Sequence, residues 1–349
     1  AMLEWRHPVN WDDQLVLKLD ATRMGVGRLT AGDAVDFGQF ATLSAGGRDP
    51  FFPQPETEET GLGVGLGYEG DHWRLDLGTT PLGFPEPFLV GGIRYTGRVG
   101  RHQWQAGVSR RAVTGTCRSY AGDTDPVSGQ FWGAARADGL QLGLARYEAT
   151  YSYALSLYPH RITGENIPDN KGVIAQARAS REVYRRPGLS LSLGAYASHW
   201  AYDLNQRFYT FGQGGYYSPQ AFTTFSLPVF LQGGINRWSY SVQVGAAYTR
   251  SREDDADYYP DRPGLQTAAR AAGETPVYAG GSGSGTSVQL DVSAEYALTE
   301  GMAIGARYAI NRADFYEPDF FTIYLRHNLG SGTRSLRVPP QRIGPYRDW

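Results

Sequence analysis

Catalytic chemistry near neutral pH would rest on the histidines, the single cysteine and the acidic runs, since these groups ionise or ligate there. His7, His72, His102, His160, His199 and His327 are scattered, with no HxxxH pair and no G-x-S-x-G elbow in the chain. Ser198-His199 offers a nucleophile beside a base. Neighbouring residues of a strand point to opposite faces, however, so the two cannot form a dyad on one surface. The lone Cys117 excludes an internal disulfide framework and a cysteine-based zinc site. EDDADYYPD, from Glu253 to Asp261, supplies oxygen ligands without EF-hand spacing and reads as a solvated loop. The chain is expected to be no enzyme, with no cofactor and no metal.

The elements that hold these residues are strands. The 349 residues include 45 glycines, 23 tyrosines, 15 phenylalanines and 8 tryptophans, with charged residues at 19%. Only two lysines, Lys18 and Lys171, stand beside 31 arginines, and helix formers are scarce. A net charge of -2 argues against a nucleic-acid partner, which demands a basic face. There is no apolar run of 18 residues for a membrane helix, and no signal peptide opens the chain. Ala1-Met2 reads as a cloning remnant, so a mature part of something longer is expected.

Period-2 alternation decides the class. From Trp238 to Thr249, one face carries Trp238, Tyr240, Val242, Val244, Ala246 and Tyr248, and the other carries Ser239, Ser241, Gln243, Gly245, Ala247 and Thr249. Aromatics cap an aliphatic middle, as in a strand that crosses a bilayer between two interfacial girdles. Segments 189–196, 288–296 and 302–311 repeat the pattern. A soluble sandwich alternates too, but it has no reason to alternate short and long connections. Sixteen strands are predicted, at 13–22, 24–32, 36–45, 60–69, 72–80, 89–98, 102–112, 139–147, 149–158, 170–184, 188–200, 220–233, 237–250, 285–297, 301–311 and 319–328. The connections 46–59, 81–88, 113–138, 159–169, 201–219, 251–284 and 312–318 are long, and those between them short. The expected fold is all-β: a transmembrane antiparallel β-barrel with short periplasmic turns and long extracellular loops. Residues 1–12 form a periplasmic lead-in, 13–328 the barrel and 329–349 a tail in the periplasm or the lumen. GGSGSG, Gly280 to Gly285, reads as a flexible loop tip.

Barrel closure pairs every backbone group in lipid, and sixteen strands leave a water-filled lumen. The faces opposite the aliphatic ones then line a pore. They bring inward Lys18, Asp20, Arg74, Asp76, Arg94, Arg98, Arg178, Glu182, Asp291, Glu295, Arg307 and Arg326. Both signs are interspersed, which suits a neutral or undemanding solute rather than an ion. Tyr196, Trp200 and Tyr324 share that face. Their rings either stack on the C–H faces of sugars or pack the pore wall.

The loops carry TTPLGF (79–84), SYAGDTDP (119–126) with SGQFWG (128–133, including Trp132), ITGENIPDN (162–170) and TFGQGGYYSPQ (210–220). Phe211, Tyr216 and Tyr217 supply rings for a gate or a glycan track, or simply pack neighbouring loops. Asp123, Asp125 and Asn166 are turn formers or binding groups. Together and in this order, the motifs resemble the C-terminal domain of the cellulose synthase operon protein C family, over residues 5–328. The resemblance implies an outer-membrane barrel that passes a cellulose chain, surrounded by outer-membrane lipid. It also implies a periplasmic TPR region of the same full-length chain and an inner-membrane cellulose synthase complex as partners. Two other readings of such a barrel are a general porin or nutrient-uptake channel, and a surface adhesin.

Overall fold

The computed structural model describes residues 1–27, 30, 36–40, 58–313, 317–329, 338–346 and 349. The strands begin β1 (Met2–Pro8), β2 (Gln14–Gly25), β3 (Glu58–Glu69), β4 (Trp73–Thr79), β5 (Leu89–Val99) and β6 (His102–Ala112). A short helix, α1 (Cys117–Ala121), precedes β7 (Asp123–Thr124). Then come β8 (Phe131–Tyr147), β9 (Tyr151–Glu165), β10 (Asn170–Arg186), β11 (Leu189–Tyr202), β12 (Ala221–Ile235) and β13 (Trp238–Glu253). The next long connection holds β14 (Ala256–Asp257), α2 (Pro263–Ala271) and β15 (Val277–Tyr278). The last strands in chain order are β16 (Gly281–Ala297), β17 (Met302–Ala313) and β18 (Asp319–His327).

The architecture is a transmembrane antiparallel β-barrel. A 16-stranded sheet follows chain order from β1 to β18, with β7 beside β8, while β14 and β15 pair with each other. Strands register through their faces: Val229↔Val244↔Leu290↔Ile310 form one outward row, and Phe230↔Gln243↔Asp291↔Ala309 the inward row beside it. Aliphatics such as Leu227, Val244, Ile304 and Ile323 stay exposed because lipid, not protein, covers them. Trp73 and Tyr95 stack edge-on near the periplasmic turns, as do Trp238 and Tyr296 with a tilt. These are girdle positions.

Three expectations need correction. Of the predicted strands 24–32 and 36–45, only Met24 and Gly25 lie in the sheet, as the end of β2, and the other described residues do not. β2 pairs directly with β3, from Gln14↔Glu69 to Gly25↔Glu58, so nothing lies between them. Gly27, at φ 76, turns the chain out of the strand, and Gly38 bridges to Thr210 in another loop instead. Residues 28–29, 31–35 and 41–45 lie outside the described residues. The expected lead-in 1–12 contains β1, paired from Met2↔Asp20 to Pro8↔Gln14. Its Glu4 and Arg6 face the lumen, where Lys18 and Glu69 meet them, so the charges that disguised the strand are its inward alternation. Finally, Gly281 to Gly285 is strand rather than loop tip, because β13 runs on to Glu253 and ladder bonding needs only backbone.

Candidate functional site

The lumen has two unlike walls. On β1–β6 and β16–β18 most inward charges are consumed in pairs. Glu69 accepts from Arg6 at 2.6 Å and from Arg74 at 3.0 Å, and Asp76 takes Arg111 in a fork at 2.6 and 2.7 Å. Across the sheet, Asp291 pairs with Arg307 at 2.8 Å, while Glu295, fully buried, holds Arg326 at 2.7 Å and the Tyr324 hydroxyl at 2.9 Å. Tyr324 is thus part of an ion-pair network. Arg94 stands on the same face between Arg74 and Gly107 in the ladder.

The tail occupies this wall. Arg342 reaches Asp291 at 3.0 Å, Lys18 donates to the Gly344 carbonyl at 3.0 Å, and the Tyr346 hydroxyl donates to Asp76 at 2.8 Å. The Tyr346 amide donates to Asp20, and the Trp349 ring lies under Lys18 and Arg74 at 5.2 and 5.4 Å. Glycines make the seat. A Cβ at Gly65 or Gly78 would come within 2.3 or 2.4 Å of Tyr346, and one at Gly67 within 2.1 Å of Trp349. Sequence reasoning left the tail's role open and did not single out these residues. The column Gly61, Gly63, Gly65, Gly67, one face of β3 without side chains, was the available signal.

The opposite wall, β6–β12, is nearly neutral. Gln103, Gln105, Ser156, Gln176, Arg178 and Tyr196 line a groove of about 200 Å³. Ser152 and Ser180 share a hydrogen bond at 2.9 Å, and Gln141 donates to Ser109 at 3.2 Å. Trp200 stands above, its indole N–H donating to Ser198 at 2.8 Å and its ring 5.1 Å from Phe222. Tyr158, His160 and Tyr202, missed in the sequence, form a ring cluster at 4.8 and 5.4 Å beside them. Glu182 lies at the periplasmic end, holding Arg185 at 2.7 Å. Both signs are present, as expected, but they are segregated into an arc rather than spread around the pore.

Over the extracellular mouth the loops fold on one another. Residues 36–40, from between β2 and β3, join the 203–220 loop from between β11 and β12 through the Gly38↔Thr210 bridge. Those strands stand far apart in the sheet order, so the contact crosses the mouth. Trp132, Phe211, Tyr259 and Ala269 make one buried cluster, and Tyr216 joins Ala135, Ala137 and Ile162 in a second. Tyr217, by contrast, is exposed beside Phe222, with centroids 5.7 Å apart. Arg118 pins the assembly: its guanidinium lies 3.8 Å over Trp132 and 2.6 Å from Asp123. Burial pulls this guanidinium down to about 10, with Asp123 opposing. Gly215, at φ 69, lets the 203–220 loop cross Arg118, since a Cβ there would sit 2.7 Å from its side chain. Burial likewise pushes the Tyr216 phenol up. Asp125 accepts from the amides of Gln39 and Ser128, and Asn166 bonds Phe131 and Arg262, so these residues hold loops together.

A membrane-facing barrel, a hydrated polar lumen and folded extracellular loops define an integral outer-membrane channel protein. Residues 1–330 match the family described as cellulose synthase operon protein C C-terminus, and the chain belongs to that family. It is 30% identical over 295 residues to cellulose synthase operon protein C of Escherichia coli K12, covering 83% of this chain and 25% of the relative. It is also 30% identical over 357 residues to the Pseudomonas fluorescens SBW25 protein of that name, covering 99% of this chain and 26% of the relative. The chain thus spans about a quarter of the length of the curated relatives it matches. Among solved structures it resembles a protein titled bacterial polysaccharide outer membrane secretin, at TM-score 0.53 and 8% identity, over 93% of this chain and 86% of that one.

Proposed function

We propose that the barrel is a passive conduit through which a neutral polysaccharide, cellulose in the first place, leaves the cell. The observation that carries this reading is the segregated lumen. Ion pairs and the tail fill one wall, leaving an amide, hydroxyl and ring surface opposite. An uncharged polymer gains nothing from field steering, so attraction comes from ring stacking and hydroxyl bonding. Many weak sites also suit a moving chain, because one tight site would stall it. Tyr196, Trp200 and Tyr217 belong to this track, with Arg178 beside them. Phe211, Tyr216 and Trp132 serve the gate, since they hold the loops shut from within. Family membership and the names of the relatives support the polymer's identity. In this reading a periplasmic TPR region and an inner-membrane synthase supply the chain and the push, and the barrel itself catalyses nothing.

Complementation tests it: a strain lacking the barrel should stop secreting polymer and recover with this chain. The combined Phe211→Ala, Tyr216→Ala, Tyr217→Ala variant should insert normally and raise basal conductance. Unchanged secretion in the deletion strain would overturn the export role. Unchanged conductance in a folded triple variant would remove the gate.

A further inference from the structure

The seat of the tail has the features of a binding site with an exchangeable occupant. Four of the charged groups that the tail touches already have partners in the wall. Lys18 has Glu4 at 3.2 Å, Arg74 has Glu69 at 3.0 Å, Asp76 holds the Arg111 fork and Asp291 has Arg307 at 2.8 Å. Stranding a buried charge is what makes the loss of a partner costly. Withdrawal of the tail strands none of these four.

The floor of the seat is flat. Gly63, Gly65 and Gly67 share the inward face of β3, and Gly78 stands opposite Gly65 in the ladder. The rings of Tyr346 and Trp349 lie where Cβ atoms at Gly65, Gly67 and Gly78 would stand. Polar groups ring this floor: Asp20 accepts from the Tyr346 amide, Asp76 accepts from its hydroxyl, and Lys18 donates to the Gly344 carbonyl. Beside Tyr346 a cavity of about 10 Å³ remains, with Gly63, Thr79 and Arg111 in its lining. Thr79 Oγ1 and Arg111 Nε are buried without a hydrogen-bond partner. Buried polar atoms are seldom left so, and the slot therefore holds bonding capacity that the tail does not use.

We propose that this slot is a second binding surface for the polymer, the size of one pyranose ring, and that the tail competes for it. The proposal rests on the export reading above. A β-glucan unit brings a flat body to a floor without side chains. Its hydroxyls donate to Asp20 and Asp76, and its oxygens accept from Lys18 and the Arg111 Nε–H. Tyr346 presents a similar set, a planar ring with a hydroxyl and an amide, so the tail imitates the ligand. Because it is tethered, it returns at high effective concentration. Competition keeps the site weak, which a moving chain needs if it is not to stall.

The test titrates the full chain in detergent micelles with cellohexaose, read by isothermal calorimetry. The double variant Tyr346→Ala, Trp349→Ala should bind it about tenfold more tightly than the parent, the gain expected when a competitor that fills about nine-tenths of the sites is removed. Adding Gly65→Val to that variant should cancel the gain. Valine suits a strand, so it fills the floor without unfolding β3, and heat-modifiable migration confirms a folded barrel in each case. Equal binding by the parent and the double variant, a gain that survives Gly65→Val, or no binding by either barrel would each overturn the slot. None of these outcomes touches the export reading, which fails instead if the deletion strain keeps secreting polymer.

Discussion

The two walls of the lumen use one strand pattern to opposite ends. On β3 and β4 the inward residues are either glycine or charged, and every charge of Glu69 and Asp76 is spent on an arginine or on the tail. On β8–β12 they are mostly small, hydroxyl, amide and aromatic residues, bonded lightly among themselves, with Arg178 and Glu182 as charges among them. A fixed ion pair presents little net field, and the first wall is the seat of the chain's own tail. The second keeps its donors and acceptors weakly engaged. The lesson is that a pore's selectivity is read from which polar groups are left over, not from which are present.

The sharpest way to break this contrast is to unpair the charged wall. Asp76→Ala strands Arg111 and the Tyr346 hydroxyl, and should cost about 3–5 kcal/mol, because Asp76 is buried and its partners remain. Urea unfolding in detergent would show it, and an unchanged midpoint would mean that the pair is solvated and the wall no different from its opposite. Next comes the inside-outside assignment on which the comparison depends. Val244→Arg puts a cation near the bilayer midplane and should cost about 2–4 kcal/mol. Gln243→Arg, opposite Asp291 in the ladder, should be tolerated. Equal assembly of the two would reverse the facing.

Emptying the glycine seat is the third test. Tyr346→Ala with Trp349→Ala should leave the barrel folded and raise single-channel conductance in planar bilayers once the gate is opened by the triple loop variant. Identical conductance would show that the tail takes no useful space from the pore. The smallest effect belongs to the neutral wall. Tyr196→Ala or Gln176→Ala should lower secretion by no more than about twofold, as expected where each contact is weak and replaceable. A single alanine that abolished export would point to one tight site and end the idea of a dispersed track.

Strand existence was legible because lipid imposes a strict alternation over ten or so residues. The rows through Val244 and Leu290 follow it without exception. The β1 strand escaped because Glu4 and Arg6 look like a solvated lead-in until their partners Lys18 and Glu69 are known. The predicted strands 24–32 and 36–45 contain enough apolar residues to alternate, yet Gly27 and Gly38 turn the backbone where described. Within the loops, the aromatic motif 210–217 was visible, but its division was not. Phe211 and Tyr216 are buried while Tyr217 stays exposed, and only the packing of other loops decides that.

By itself the sequence determined the barrel, its face assignment and its loop asymmetry, because each follows from local spacing against a solvent that is apolar outside and wet inside. Tertiary structure alone decided which charges cancel, where the tail lies and how the mouth is closed. Those are contacts between residues as distant as Asp20 and Tyr346, or Gly38 and Thr210. Their energies depend on partners that no local window contains.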